Sequence, residues 1–285
     1  MVDGTAGESF APAIASDDQV SARTLPWQSV IRSIGLVAPP AVFIVLLVSL
    51  WAVLSAAGTI PSFILPSPGA IGQEFVSHWQ VLLKHAGATS LEALSGFFIG
   101  NVAAIIIASL LTMVPTLKDA FFPYALMSRA VPMVVFMPLF MVLLGRGLPP
   151  ILAIVSFSVY FPTFLNMMRG LNSVDVDYEE LLHTLSATPW QRLRLIQLPA
   201  SMPYLFAALK VSASASFIAA LVTEWIGATV GLGYLVVVSG QFFKLPQLWA
   251  AIFSAAILTL LLLGVVALLE RALWRWTGTA KDIGA

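Results

Sequence analysis

The chain contains no cysteine, which excludes disulfide staples, thiolate metal sites and cysteine nucleophiles. It is also poor in charge. Only 10% of its 285 residues are Asp, Glu, Lys or Arg, against about a quarter in an average soluble domain. The 14 basic residues balance 14 acidic ones, so no net positive field points to nucleic acid as a partner. The three histidines, His78, His85 and His183, are scattered without ligand spacing and describe no metal centre. No Gly-Lys-Ser/Thr sequence occurs, and the Gly-x-Gly pairs at Gly145 and Gly231 neither follow a strand nor open a phosphate-binding helix. They read as turns, and the chain is not expected to hydrolyse ATP by itself.

What the chain has instead is apolar length: 59% of it is hydrophobic. A helix needs about 20 apolar residues to cross a bilayer. Six segments qualify, at 34–57, 91–114, 121–144, 151–168, 202–223 and 248–269. The expected fold class is therefore an all-α integral membrane protein with six transmembrane helices. Residues 1–33 read as a flexible cytosolic tail and not a cleaved signal, 34–276 as the transmembrane domain, and 277–285 as a second cytosolic tail. Leu65-Pro-Ser-Pro-Gly69 marks a loop or the start of a short helix, and Gly145-Arg-Gly-Leu-Pro-Pro150 a tight turn. Pro132 and Pro138 fall inside the third span, where each removes a backbone donor and can kink it. Small residues at Ser95-Gly96 with Gly100, and along Ser212-Ala-Ser-Ala-Ser216, suit close helix approach.

Orientation follows from Lys and Arg in alternate loops. One side holds Arg23, Arg32, Lys118, Arg129, Arg169, Arg192, Arg194, Lys210, Arg271, Arg275 and Lys281, and the other only Lys84, Arg146 and Lys244. The imbalance predicts both termini in the cytosol. The polar segment 172–200 is then cytosolic, and 224–247 faces outward.

That polar segment stands out between apolar runs. Tyr178, Leu181, Leu182 and Leu185 fall on one helical stripe, with Glu179, Glu180 and His183 off it. Asp177 followed by Glu180 suggests a capping-box start. Thr188-Pro-Trp-Gln191 supplies a second start, with Thr as N-cap and Pro at the first helical position, and Leu198-Pro199 should end that short helix. Two short helices at an angle are expected. Read from the residues alone, such a hairpin either seals a helical bundle or contacts a soluble partner.

A resemblance favours the second. Glu180-Leu-Leu-x3-Ser-x9-Ile-x-Leu-Pro199 resembles the EAA loop of type I ABC importer permeases, with its spacing intact. Leu181 and Leu182 stand where relatives have alanines, and Ser186 where they have glycine. Leu65-Pro-Ser-Pro68, Pro132-x5-Pro-Leu139, Arg169-Gly-Leu-x-Ser-Val-Asp175 and Gly231-Leu-Gly-Tyr-Leu235 extend the likeness over roughly 35–276, to the nitrate, sulfonate, taurine and bicarbonate permease branch. Permeases for pyrimidine vitamin precursors and riboflavin belong to that branch too. The chain departs from many members at Leu144-Gly-Arg-Gly147 and, where they carry arginine in the second span, at Glu92.

The resemblance implies a type I ABC permease fold with cytosolic coupling helices in the bacterial inner membrane. It implies a second permease copy, two cytosolic ATPase subunits that bind the ATP and Mg, an extracytoplasmic solute-binding protein, and no cofactor in this chain. The loop residues Glu179, Glu180, Leu181, Leu182, Leu185, Ser186, Ala187, Thr188, Pro189, Trp190, Ile196, Leu198 and Pro199 would couple to the ATPase. Arg146, Gly231, Gly233 and Tyr234 would contact the binding protein.

Charges near a bilayer are costly and often functional. Glu92 and Glu224 are placed at outer span ends, and Arg129 and Lys210 near cytosolic ends, where snorkelling explains them. Glu224, with Met133, Phe136, Met137 and Met141, is a candidate gate or pathway set, although packing is the commoner role for Met and Phe. An ion-coupled carrier or channel is the alternative function, and would need a carboxylate near a span midpoint. An intramembrane serine enzyme is disfavoured because no histidine lies in a predicted span.

Overall fold

The computed structural model of the chain describes residues 26–58, 61, 64–114, 116–117, 120 and 132–277. Expectations for Arg23, Lys118, Arg129, residues 121–131 and the tail segments 1–25 and 278–285 lie outside these. The chain divides into two compact units, residues 1–53 and 54–285. Helix α1 (Pro26–Ala56) covers residues 34–56 of the first predicted span.

The second unit opens with α2 (Pro68–Ser77), capped by Ser67, whose Oγ accepts the Ala70 amide at 3.2 Å. Helix α3 (Trp79–Met113) starts three turns before the predicted span at 91–114. Its early polar residues His85 and Thr89 are buried against other helices, so the helix outruns its apolar stretch. In the described part of the third predicted span, the chain forms a 3-10 turn (Met133–Phe136) that runs directly into helix α4 (Met137–Leu144). Pro138 lies in the first turn of α4, where its missing donor has no helical partner to lose. The following turn uses Gly145 at φ 81° and Gly147 at φ 102°, as the glycine pair predicts.

Helix α5 (Leu148–Leu171) follows, then α6 (Val176–Thr184) and α7 (Pro189–Arg192). The expected stop at Leu198-Pro199 is absent. A π-helical stretch (Leu193–Gln197) runs on into α8 (Leu198–Gly227), making one continuous helix from Pro189 to Gly227. The wider π turn admits an extra residue before Pro199 and takes up the register change that a proline ring forces on an α-helix. Helix α9 (Leu232–Gln241) has 10 residues, about 15 Å at the usual rise, which is too short to cross a bilayer. Helix α10 (Leu245–Thr277) closes the fold. Among the described residues four helical stretches are long and apolar enough to span: Trp79–Met113, Leu148–Leu171, Pro189–Gly227 and Leu245–Leu273.

Helices α3, α5 and α8 form the centre. Gly96 and Gly100 let α3 press onto α5, since a Cβ at either position would strike Val155 or the Ser156 backbone. Ala93, Ile151, Ile154, Val155, Phe217 and Ala220 fill one buried layer, and Ala104, Ala108, Phe164, Met167 and Leu171 another. Between them, Thr163 Oγ1 donates to Asn101 Oδ1 at 2.5 Å and lies 2.8 Å from Ser212 Oγ, tying the three helices through satisfied polar groups. The outer faces are the reverse of a soluble protein's: Phe98, Leu110, Leu260 and Leu268 are all exposed. Such a surface fits hydrocarbon, where apolar side chains face the solvent.

Candidate functional site

Two polar regions stand out. The first is the α6–α7 hairpin. Asp175, not Asp177, caps α6: its Oδ1 accepts the Asp177 amide at 3.4 Å, so the cap lies two residues before the expected capping box from Asp177 to Glu180. The helix begins at Val176, so Asp177 is already inside the first turn. The α7 start is as expected, with Thr188 and Gln191 exchanging reciprocal bonds: Gln191 N to Thr188 Oγ1 at 3.3 Å, and Thr188 N to Gln191 Oε1 at 2.8 Å.

Between them Ser186 adopts φ +52°. Its amide bonds His183 O, and the Ala187 amide bonds Leu182 O, both at 3.0 Å. These two bonds make a Schellman turn with serine in the left-handed position usually held by glycine.

The apolar stripe divides. Leu182 is buried, whereas Tyr178, Leu181, Leu185 and Trp190 are each more than half exposed. Glu180 and Thr188 to Gln191 are exposed as well, as is Pro199, while Glu179, Ala187, Ile196 and Leu198 are half-buried. Leu193, just past α7, is buried beside Phe164 and Met168, which roots the hairpin on the bundle. The hairpin thus has one anchored edge and one open apolar face.

The second region joins α3, α8 and α9. Thr89 Oγ1 donates to Glu224 Oε1 at 2.6 Å, and the Gly233 amide donates to Glu224 Oε2 at 2.5 Å. The Leu232 amide donates to Thr89 Oγ1 at 2.8 Å. His85 Nδ1 lies 3.0 Å from the Gly231 amide and 2.9 Å from its carbonyl, within reach of either according to tautomer. The Tyr234 ring stacks on His85, 6.0 Å between centroids. Glu224 and Thr89 thus satisfy the first free amides of α9, where a carboxylate is favoured by the helix dipole. Gly231 and Gly233 are required for this closeness, because a Cβ on Gly231 would collide with the Glu224 carboxylate and one on Gly233 with the Leu221 carbonyl.

Several sequence expectations change here. His85 lies within α3 and is buried, so a spanning helix does carry a histidine. Glu92 is well inside the same helix, not at its start. Glu224 is fully buried within the bracket on α9. Gly231 and Gly233 are buried under that carboxylate, Tyr234 is half-buried and Arg146 exposed. Met137 is fully buried in the core, with Met133 and Met141 packed around it, and Phe136 is half-buried. Lys210 does not simply snorkel. Its Nζ lies 2.5 Å from Glu270 Oε2, an α8–α10 ion pair that reading the two helices separately missed. Lone opposite charges in two apolar runs were its signal.

An apolar-surfaced helical bundle of this length has the build of a membrane protein. The chain belongs to the family described as binding-protein-dependent transport system inner membrane component, matched at residues 96–276, and is a permease subunit of an ATP-binding cassette importer. It is 28% identical over 236 residues to a probable ABC transporter permease protein of Haemophilus influenzae, covering 82% of this chain and 96% of that one. It is 30% identical over 240 residues to the riboflavin transport system permease protein RibX of Chloroflexus aurantiacus, covering 82% and 88%. The formylaminopyrimidine transport permease protein ThiX of Halalkalibacterium halodurans is 28% identical over 238 residues, covering 83% and 95%. Among solved structures, the inward-facing MetNI methionine ABC transporter shares the fold with a TM-score of 0.60 at 17% identity, covering 68% of this chain and 97% of that one.

Proposed function

We propose that this chain, as one of two permease copies with six spans each, forms the translocation pathway of an importer and takes its energy from two separate ATPase subunits. The observation that carries the reading is the hairpin: Tyr178, Leu181, Leu185 and Trp190 lie open on an element whose other edge, Leu182 and Leu193, is held in the bundle. Exposed aromatic and leucine side chains at helical spacing suit a groove on a soluble protein. A lever needs both features, since a loose hairpin would not pass force to α8. Because Pro189 to Gly227 is one continuous helix, movement at α7 is carried directly into the central helix α8.

In this reading both termini and the hairpin are cytosolic, the ATPase holds ATP and Mg, and this chain holds no cofactor. Arg146, on the exposed turn between α4 and α5, supports an extracytoplasmic contact with a solute-binding protein. Nucleotide would bias the pathway between inward-open and outward-open states through the hairpin. The test is co-purification of the tagged chain from its native membrane. An ATPase subunit is expected in the eluate in equal amount, and its absence would contradict the proposal.

A further inference from the structure

Among the described residues, Ser186 and Phe243 alone hold a positive φ without being glycine. Phe243, at φ +55°, sits in the turn between α9 and α10. Its amide bonds Gly240 O at 3.2 Å, and the Lys244 amide bonds Ser239 O at 2.8 Å, the same pair of bonds that closes the turn at Ser186. The left-handed region crowds any Cβ, and a bulky ring there is an outlier. Such strain persists only where its surroundings compensate for it. Packing within the chain does not, because Phe242 is 69% exposed and Phe243 79%. The exposed stretch is confined to 241–244, between mostly half-buried residues of α9 and the half-buried first turn of α10. The turn is therefore a rigid tip that holds two rings outward.

The tip also has a defined depth. Phe243 precedes by five residues Leu248, where the apolar run 248–269 begins, about 7 Å at the helical rise. A hydrocarbon core of about 30 Å within a bilayer of 40–45 Å leaves a headgroup layer of roughly 5–7 Å on each side. Below the tip, Ile252, Ile257, Leu260 and Leu261 continue the exposed apolar surface along α10. Lys244 is exposed beside the rings, and among the described residues no ion pair engages it.

We propose that Phe242, Phe243 and Lys244 form a lipid anchor, with the two rings entering the boundary between headgroups and acyl chains and the Lys244 ammonium meeting lipid phosphate. Rings without a polar atom, followed by one lysine, have the chemistry of an interfacial element. Burial of the rings in lipid supplies the compensation for the left-handed backbone that the chain itself lacks. The inference needs only that the bundle lies in a bilayer, and it is independent of the ATPase reading.

Because the chain has no cysteine, Phe243→Cys carries a single nitroxide label on the full-length permease, held in discs of phosphatidylcholine and phosphatidylglycerol. Relaxation of the label by oxygen, which concentrates in lipid, and by a water-soluble nickel chelate reports its depth. Leu260→Cys on the exposed face of α10 is the hydrocarbon reference, and Glu180→Cys on the exposed hairpin the aqueous one. The label at 243 should lose most of the nickel relaxation seen at 180 while keeping more than at 260. Nickel relaxation equal to that at 180 would overturn the proposal, and is the result for a tip left free for a soluble partner. A label as deep as at 260 would overturn it too. Phe242→Cys, labelled alone and together with Phe243→Gly, gives a second reading with the strain relieved. Loss of the neighbouring ring should raise nickel relaxation at 242; unchanged relaxation would show that the turn sets the depth without anchoring by the ring, and would contradict the proposal.

Discussion

Glu224 and Gly233 are nine residues apart in the chain and meet at 2.5 Å, the carboxylate Oε2 of one accepting the backbone amide of the other. The bond folds α9 back onto α8, and Thr89 on α3 completes the bracket. Glu224→Ala leaves the buried Gly233 amide without its acceptor and the Thr89 hydroxyl with only the His85 carbonyl, 3.2 Å away. At about 1–3 kcal/mol for each buried group left unpaired, the variant should melt several degrees below the wild type in detergent. A melting temperature equal to wild type would show that water or neighbouring groups replace the carboxylate.

Gly233→Ala should be at least as damaging as the loss of Glu224. The added Cβ meets the Leu221 carbonyl, which belongs to the α8 backbone and cannot rotate aside. The same substitution at Gly72, whose Cβ would meet nothing, is the control and should raise stability slightly. Melting of the two variants side by side decides the matter.

Ser186→Gly should stabilise the hairpin. A serine held at φ +52° carries the left-handed penalty, about 1 kcal/mol, that glycine avoids. Amide exchange at Ser186 and Ala187, which donate the two turn bonds, should slow about fivefold if the turn opens locally. Unchanged exchange would mean that these amides open only with the whole bundle.

Lys210 and Glu270 should show a coupling. Lys210→Met alone strands a partly buried carboxylate, and Glu270→Gln alone strands an ammonium. The double variant, with no charge left to satisfy, should be less destabilised than the sum of the singles by about 1 kcal/mol. A double-mutant cycle on melting free energies measures this directly.

Much of the architecture was legible because it is written locally. The apolar runs at 91–114, 151–168, 202–223 and 248–269 each fall on a helix long and apolar enough to span, Gly145 and Gly147 marked the turn, and Thr188 with Gln191 marked the start of α7. Gly96 and Gly100 pointed to close packing, which they provide against Val155 and Ser156. What the sequence hid depends on pairs distant in the chain. His85 and Gly231 are separated by 146 positions, and Thr89 and Glu224 by 135, so no spacing rule connects them. The polar start of α3 was lost for the same reason: its side chains look solvent-seeking until their partners on α8 and α9 are in place. Proline at position 199 misled because a π stretch absorbs it, and that is a property of the whole helix and not of the dipeptide.

The central claim is that the open face of the α6–α7 hairpin couples this permease to its ATPase. It is tested most directly by ATP-driven solute uptake into vesicles carrying the complete transporter, with Glu180→Ala, Leu185→Asp and Trp190→Ala combined in the permease. All three side chains are exposed, so the variant should melt as the wild type does. Uptake and ATPase association should both fall at least tenfold, the effect of losing central contacts of a small interface. Wild-type uptake with the ATPase still bound would contradict the coupling role of the hairpin.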